Sequence, residues 1–179
     1  MRRTGTLACA AALAVLVAAG CGSSGGGTTA TDAWATGVCT AITTWQGQLK
    51  TITSSVTSGG VSKASIDKAI TQAKDATNQL ADSLKKLGKP DTQAGQQAKD
   101  DVQQLSDELS SGIKKVQDSV SGASGAAQVL AGVSVATGTL STMVTQVSTT
   151  IGDLQKLDPK GELEQAFRKS DACKPLLGS

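Results

Sequence analysis

The sequence predicts an all-α protein, an antiparallel up-down four-helix bundle with a short C-terminal fifth helix. Three observations carry that expectation. Four long segments repeat apolar residues at alternating steps of three and four, the spacing of helices packed in a left-handed bundle. Breaks rich in Gly, Ser and Pro separate those segments, and connections this short favour antiparallel neighbours. With one Phe, two Trp and no Tyr, the core must be built from aliphatic residues and alanine.

The first helix is expected to begin near Asp32 as N-cap, with its seam at Ala35, Val38, Ile42, Trp45, Leu49, Ile52 and Val56. Ser54 to Gly60 breaks it. A second helix follows from about Ser62 to Leu87, striped by Ile66, Ala69/Ile70, Ala73, Thr77, Leu80, Leu84 and Leu87. Lys85 and Lys86 face its negative end, Gly88 offers a left-handed cap and Pro90 stops it. Asp91 then reads as the cap of a third helix carrying Ala94, Ala98, Val102, Leu105, Leu109, Ile113, Val116 and Val120. Its steps of four, four and three around Gly112 form a stutter, which suggests a kink or looser packing there. After Ser121–Gly125, a strict heptad seam runs through Ala126, Leu130, Val133, Thr137, Leu140, Val144, Val147, Ile151 and Leu154. Local propensity opposes it, since Val, Thr, Ser and Gly crowd the segment. Periodicity sustained over four heptads is expected to win, because packing of an amphipathic face supplies most helical stability. Asp158-Pro159 reads as N-cap and first residue of the short fifth helix, which contains Leu163, Ala166 and Phe167.

Charge and composition exclude much. Removing Arg2 and Arg3 from the 17 basic residues leaves 15, which balance the 15 acidic ones. A neutral chain offers no electrostatic footprint for nucleic acid and no polybasic patch for anionic lipid. There is no histidine. That removes His-based general base catalysis, Ser-His-Asp triads, His-ligated zinc and Glu-x-x-His di-iron sites together. No phosphate-cradling Gly-rich loop, nucleophile elbow or Asp-rich calcium loop is present. No enzyme, catalytic residue, metal or cofactor is therefore expected.

The N-terminus carries the strongest motif. Met1-Arg2-Arg3, an apolar run and small residues at its exit make a secretory signal peptide over residues 1–20. The run from Leu7 to Ala19 is too short for the roughly 20 residues of a bilayer span. Ala18-Ala19-Gly20-Cys21 resembles the lipobox of bacterial lipoproteins, with Ala18 where that family most often has leucine. The resemblance implies that Cys21 is diacylated, becomes the new N-terminus and anchors the chain on the outer face of the cell membrane. A plain secretory signal with a chance cysteine is the competing reading, and Arg2-Arg3 leaves twin-arginine export open. The Gly- and Ser-rich residues 21–31 read as a flexible linker, and 32–179 as the bundle domain. In composition and helical pattern the chain resembles small lipoproteins of high-GC Gram-positive bacteria.

Cys9 leaves with the signal, so Cys39 and Cys173 are the two thiols that remain. An exported chain meets an oxidising environment, and the expectation is a disulfide between them. The alternative, a redox-active pair, lacks a Cys-x-x-Cys or a cation cluster. Thr77 and Thr137 interrupt apolar seams; they either line a ligand cavity or bond the carbonyl one turn back. Asp100-Asp101, Asp107-Glu108 and Glu162/Glu164 read as helix faces and caps. Two functions stay open: a helical module that contacts an envelope protein or wall component, and a carrier for a small apolar ligand or lipid.

Overall fold

The computed structural model describes residues 29–59, 62–123 and 125–177. The expected signal at 1–20 and Cys21, the expected lipid acceptor, lie outside the described residues. All regular structure within them is helical: α1 (Ala30–Gly59), α2 (Lys63–Leu87), α3 (Gly95–Ser121), α4 (Ala126–Lys156), α5 (Glu162–Lys169) and a terminal 3₁₀ helix (Asp171–Leu176). α1 packs on α2, α2 on α3 and α3 on α4, the antiparallel order expected from the sequence. α5 packs on both α1 and α4, and the 3₁₀ helix packs on α1. No comparable packing joins α1 directly to α4. The bundle is therefore closed between its outer helices at one end only, by the C-terminal segment.

The caps differ from the expected ones in instructive ways. Thr29 caps α1: its Oγ1 accepts from the Asp32 amide at 3.0 Å while Asp32 Oδ2 accepts from the Thr29 amide at 3.1 Å. Asp32 thus completes a capping box from the first turn instead of being the cap. Ser62, where the sequence has the second helix begin, caps α2 in a box with Ser65. Asp91 does not cap α3, which starts at Gly95 behind Ala94 with no side-chain cap bond. Gly95 is held against the Pro90 carbonyl, where a β-carbon would collide, so the chain needs several residues to turn before helix can begin. Pro159 likewise lies ahead of α5. Asp158 accepts from the amides of Lys160 and Glu162 at 3.2 and 2.9 Å, and left-handed Gly161 (φ 70°, ψ 17°) completes the turn.

α4 is helical from end to end, so packing prevailed over propensity. Its strict heptad seam does not hold, however. Val147, Ile151 and Leu154 are buried, whereas Leu130 and Val144 are 64% and 46% exposed. The buried face passes instead through Gly132 and Met143. An α-helix drifts roughly 20° per heptad away from a 3.5-residue repeat. With the C-terminal half of α4 held in register, four heptads of drift turn the far seam positions outward. The stutter in α3 is not a loose spot either. A β-carbon on Gly112 would stand 2.9 Å from Met143 Sδ, and one on Gly132 would stand 2.8 Å from Val120 Cγ2. These glycines let α3 and α4 approach closely.

Candidate functional site

The chemistry-bearing residues fall into three places. At the closed end, Cys39 on α1 and Cys173 in the 3₁₀ helix form a disulfide with Cα atoms 5.0 Å apart, across 134 residues of sequence. Both are fully buried. Trp34 and Phe167 lie in the same core and meet edge to face, with ring centroids 6.1 Å apart. Trp34 Nε1 donates to the Gly88 carbonyl at 3.2 Å, so its one polar atom is satisfied. Thr36 and Ser170 hydroxyls at 3.0 Å further tie α1 to the C-terminal segment. The geometry is that of a structural staple, with both cysteines fully buried in the core.

The paired acids are explained along α3. Gln96, Gln103 and Gln104 each donate to an acid one turn on, Asp100, Asp107 and Glu108, at 2.9, 3.2 and 2.8 Å. Burial, with Asp100 and Asp153 as like-charged neighbours, pushes the Asp101 carboxyl above its ordinary range. Glu164 pairs with Arg168 at 2.9 Å in α5. Among the described residues no group of His, Cys, Asp and Glu is placed to hold a metal.

The third place lies at the other end of the bundle. There the C-terminal part of α1, the start of α2, the end of α3 and the first half of α4 surround a cavity of about 220 Å³. Its wall is aliphatic, with Leu49, Ile52, Ile66, Ile70, Ile113 and Leu140 among the contributors, and small residues Ala69, Ala73 and Ala136 leave the room. No charged side chain lines it. The only polar residues on the wall are Thr53, Thr57 and Thr137. Each donates to a carbonyl of its own helix: Leu49 at 2.9 Å, Ser54 at 2.9 Å and Val133 at 2.9 Å. All three are exposed and sit on α1 and α4, the two helices not packed on each other, so the cavity opens between them. A larger furrow of about 690 Å³ runs along α1 and α2, but it is a surface feature with Trp45 and Leu80 of the solid core as its floor.

The two threonines singled out in the sequence therefore part company. Thr77 is buried away from this cavity. Its Oγ1 accepts from Trp45 Nε1 at 3.1 Å and donates to the Ala73 carbonyl at 2.8 Å. Thr137 bonds one turn back and also stands on the cavity wall. The sequence raised a ligand cavity only as an alternative reading and did not place it at this end of the bundle. Its one signal is the set of alanines at inward positions of α2 and α4, which also reads as ordinary bundle packing.

The outer surfaces of the helices differ as well. α2 and α3 are studded with charges, whereas α4 carries none from Ala126 to Gly152 and α1 none beyond Lys50. Within the described residues α4 is the one helix long and apolar enough to cross a membrane. Its close glycine-mediated contacts with α3 make it a member of the bundle. No protein-family model, curated protein or solved structure matches this chain.

Proposed function

We propose that the protein is an exported, non-enzymatic helical module of the cell envelope, tethered to the outer face of the membrane through lipid on Cys21. The observation that carries this reading is the buried Cys39–Cys173 bond. Such a bond belongs to an oxidising compartment and agrees with an export signal at residues 1–20. The bond also holds the start of α1 at the closed end of the bundle, and in this reading the linker leaves the domain from there. The membrane then lies at the stapled end, and the open end points toward the wall and its proteins. The partner is an envelope protein or wall component.

A second reading, a carrier for a small apolar ligand, is favoured by the cavity of about 220 Å³ at the membrane-distal end. It is compatible with the tether, since a carrier and an interaction module share the same anchored rod.

The anchoring is tested by expressing the whole chain with its signal in a bacterium. Intact mass of the membrane fraction should give a chain beginning at diacylated Cys21, and Cys21→Ser should abolish the lipid. An unacylated wild type beginning at any other residue overturns the tether.

A further inference from the structure

We propose that the distal cavity is a binding site for one unbranched alkyl chain of a single-chain amphiphile, inserted between α1 and α4 with its polar end left in water. The inference deepens the carrier reading and rests on it. Four features of the cavity select this ligand.

Its shape is the first. The α1 residues on its wall run from Leu49 to Thr57, which at 1.5 Å per residue is about 12 Å along the bundle axis. With a volume of about 220 Å³ and an opening along the α1–α4 side, the cavity is an elongated apolar slot that suits an extended chain laid in it lengthwise.

Its chemistry is the second. Thr53, Thr57 and Thr137 already direct their hydroxyl protons to carbonyls of their own helices. A buried headgroup would find no donor and no charge, and burying it unpaired is costly. An alkyl chain asks for neither. Water that enters through the opening finds no free partner among these hydroxyls, so an alkyl chain displaces it at no cost in hydrogen bonds.

The charge around the opening is the third. The flanks that meet there, α1 after Lys50 and α4 before Asp153, carry no ionised group. The site therefore matches a hydrocarbon and is indifferent to the sign of whatever the chain carries.

The length of the tether is the fourth, and it separates a foreign chain from the protein's own anchor. Ile52 lies about 33 Å along α1 from Ala30. The residues between Cys21 and Ala30 reach at most about 30 Å at full stretch. Acyl chains on Cys21 that remain in the bilayer do not arrive at the cavity. The ligand is a separate molecule.

The test uses residues 22–179, which contain every packed element and the whole core, exported so that the disulfide forms. The probes are n-alkyl glucosides from hexyl to dodecyl, held below their micelle concentrations, and decanoate. One probe should bind per protein. Each added methylene should tighten Kd about fourfold, the equivalent of about 0.8 kcal/mol, until the chain fills the cavity near eight carbons, after which affinity levels off. Methyl resonances of Ile52, Ile70 and Ile113 should shift, and those of Ile42 and Ile151 should not. Ala136→Phe should weaken decyl glucoside at least tenfold; should that variant not fold, Ala73→Leu serves in its place. Absence of saturable binding overturns the proposal, as does affinity insensitive to chain length. A more than tenfold preference between decanoate and decyl glucoside also overturns it, since the headgroup would then be what is recognised. None of these outcomes bears on the N-terminal mass of the full chain, so anchoring stands or falls separately.

Discussion

The two ends of this rod are built from the same helices and differ in what fills the space between α1 and α4. At the stapled end α5 and the 3₁₀ helix occupy that space. Phe167, Leu163 and Ala166 are at most 1% exposed there, beside Trp34, Ile42 and Trp45 of α1 and Ile151 and Leu154 of α4. At the distal end no segment among the described residues takes that place. Ile52, Ile70, Val133 and Leu140 remain only half-buried, and a cavity persists. The alternating seams run through both ends alike, so patterning does not explain the difference. A four-helix arrangement whose outer pair stands apart needs a fifth element, and this chain supplies one for only half its length.

The largest expected break in the comparison is removal of the staple. The bond closes a loop of 134 residues, for which the chain-entropy account gives about 5 kcal/mol as an upper figure. Cys39→Ser combined with Cys173→Ser should therefore lower unfolding free energy by several kcal/mol in urea titration. A loss under about 1 kcal/mol would mean that α5 is held by its apolar contacts alone and that the bond is incidental.

Next in size is the same truncation made at each end. Ile151→Ala, in the packed end, should cost about 2–5 kcal/mol, because the atoms it removes leave a new void among fixed neighbours. Ile70→Ala, on the cavity wall, should cost about 1 kcal/mol, since its side chain is half-buried beside space that is already there. Paired urea unfolding curves give both numbers. Equal losses would say that the distal cavity collapses on truncation and that the two ends are packed alike.

The smallest effect sharpens the charged side of the molecule. Asp101, between α3 and α4, has its carboxyl held above the ordinary range first by burial, then by Asp100 and Asp153. A carboxyl raised in the fold favours the native state while protonated, below the unfolded value near pH 4, and that contribution is lost as pH rises through the raised folded value. At neutral pH ionised Asp101 is thus a small cost. Asp101→Asn should stabilise the protein by about half a kcal/mol at pH 7, the scale of partly exposed charge pairs, and by nothing near pH 3. A destabilised variant at pH 7 would show that Asp101 has a favourable role that its charged neighbours do not reveal.

Much of the framework was legible in the chain. The seams of α1 and α3 bury almost every residue the spacing selected, including Val38, Ile42, Trp45, Leu105, Leu109 and Ile113. The start of α2 near Ser62 and the lysines ending it were readable because helix ends are marked by neighbouring residues. Pairing of Cys39 with Cys173 was readable from the small number of thiols and from the oxidising compartment that an export signal would imply. The start of α3 was less so. Asp91 has a capping residue's chemistry, but the approach of Gly95 to Pro90 decides where helix can begin, and that contact does not show in residue type.

What the sequence by itself determined is the set of helices, their order and their buried stripes, because periodicity at 3.6 residues is written one helix at a time. What only the tertiary structure decided is how the stripes are used over distance. The drift of a straight helix against a heptad repeat turned Leu130 outward and brought Gly132 in, an outcome that depends on which end of α4 is held. The closing of α1 against α4 at one end, and the cavity left at the other, depend on where an eight-residue α5 lands. Packing volume belongs to several helices at once, so no single stretch of residues encodes it.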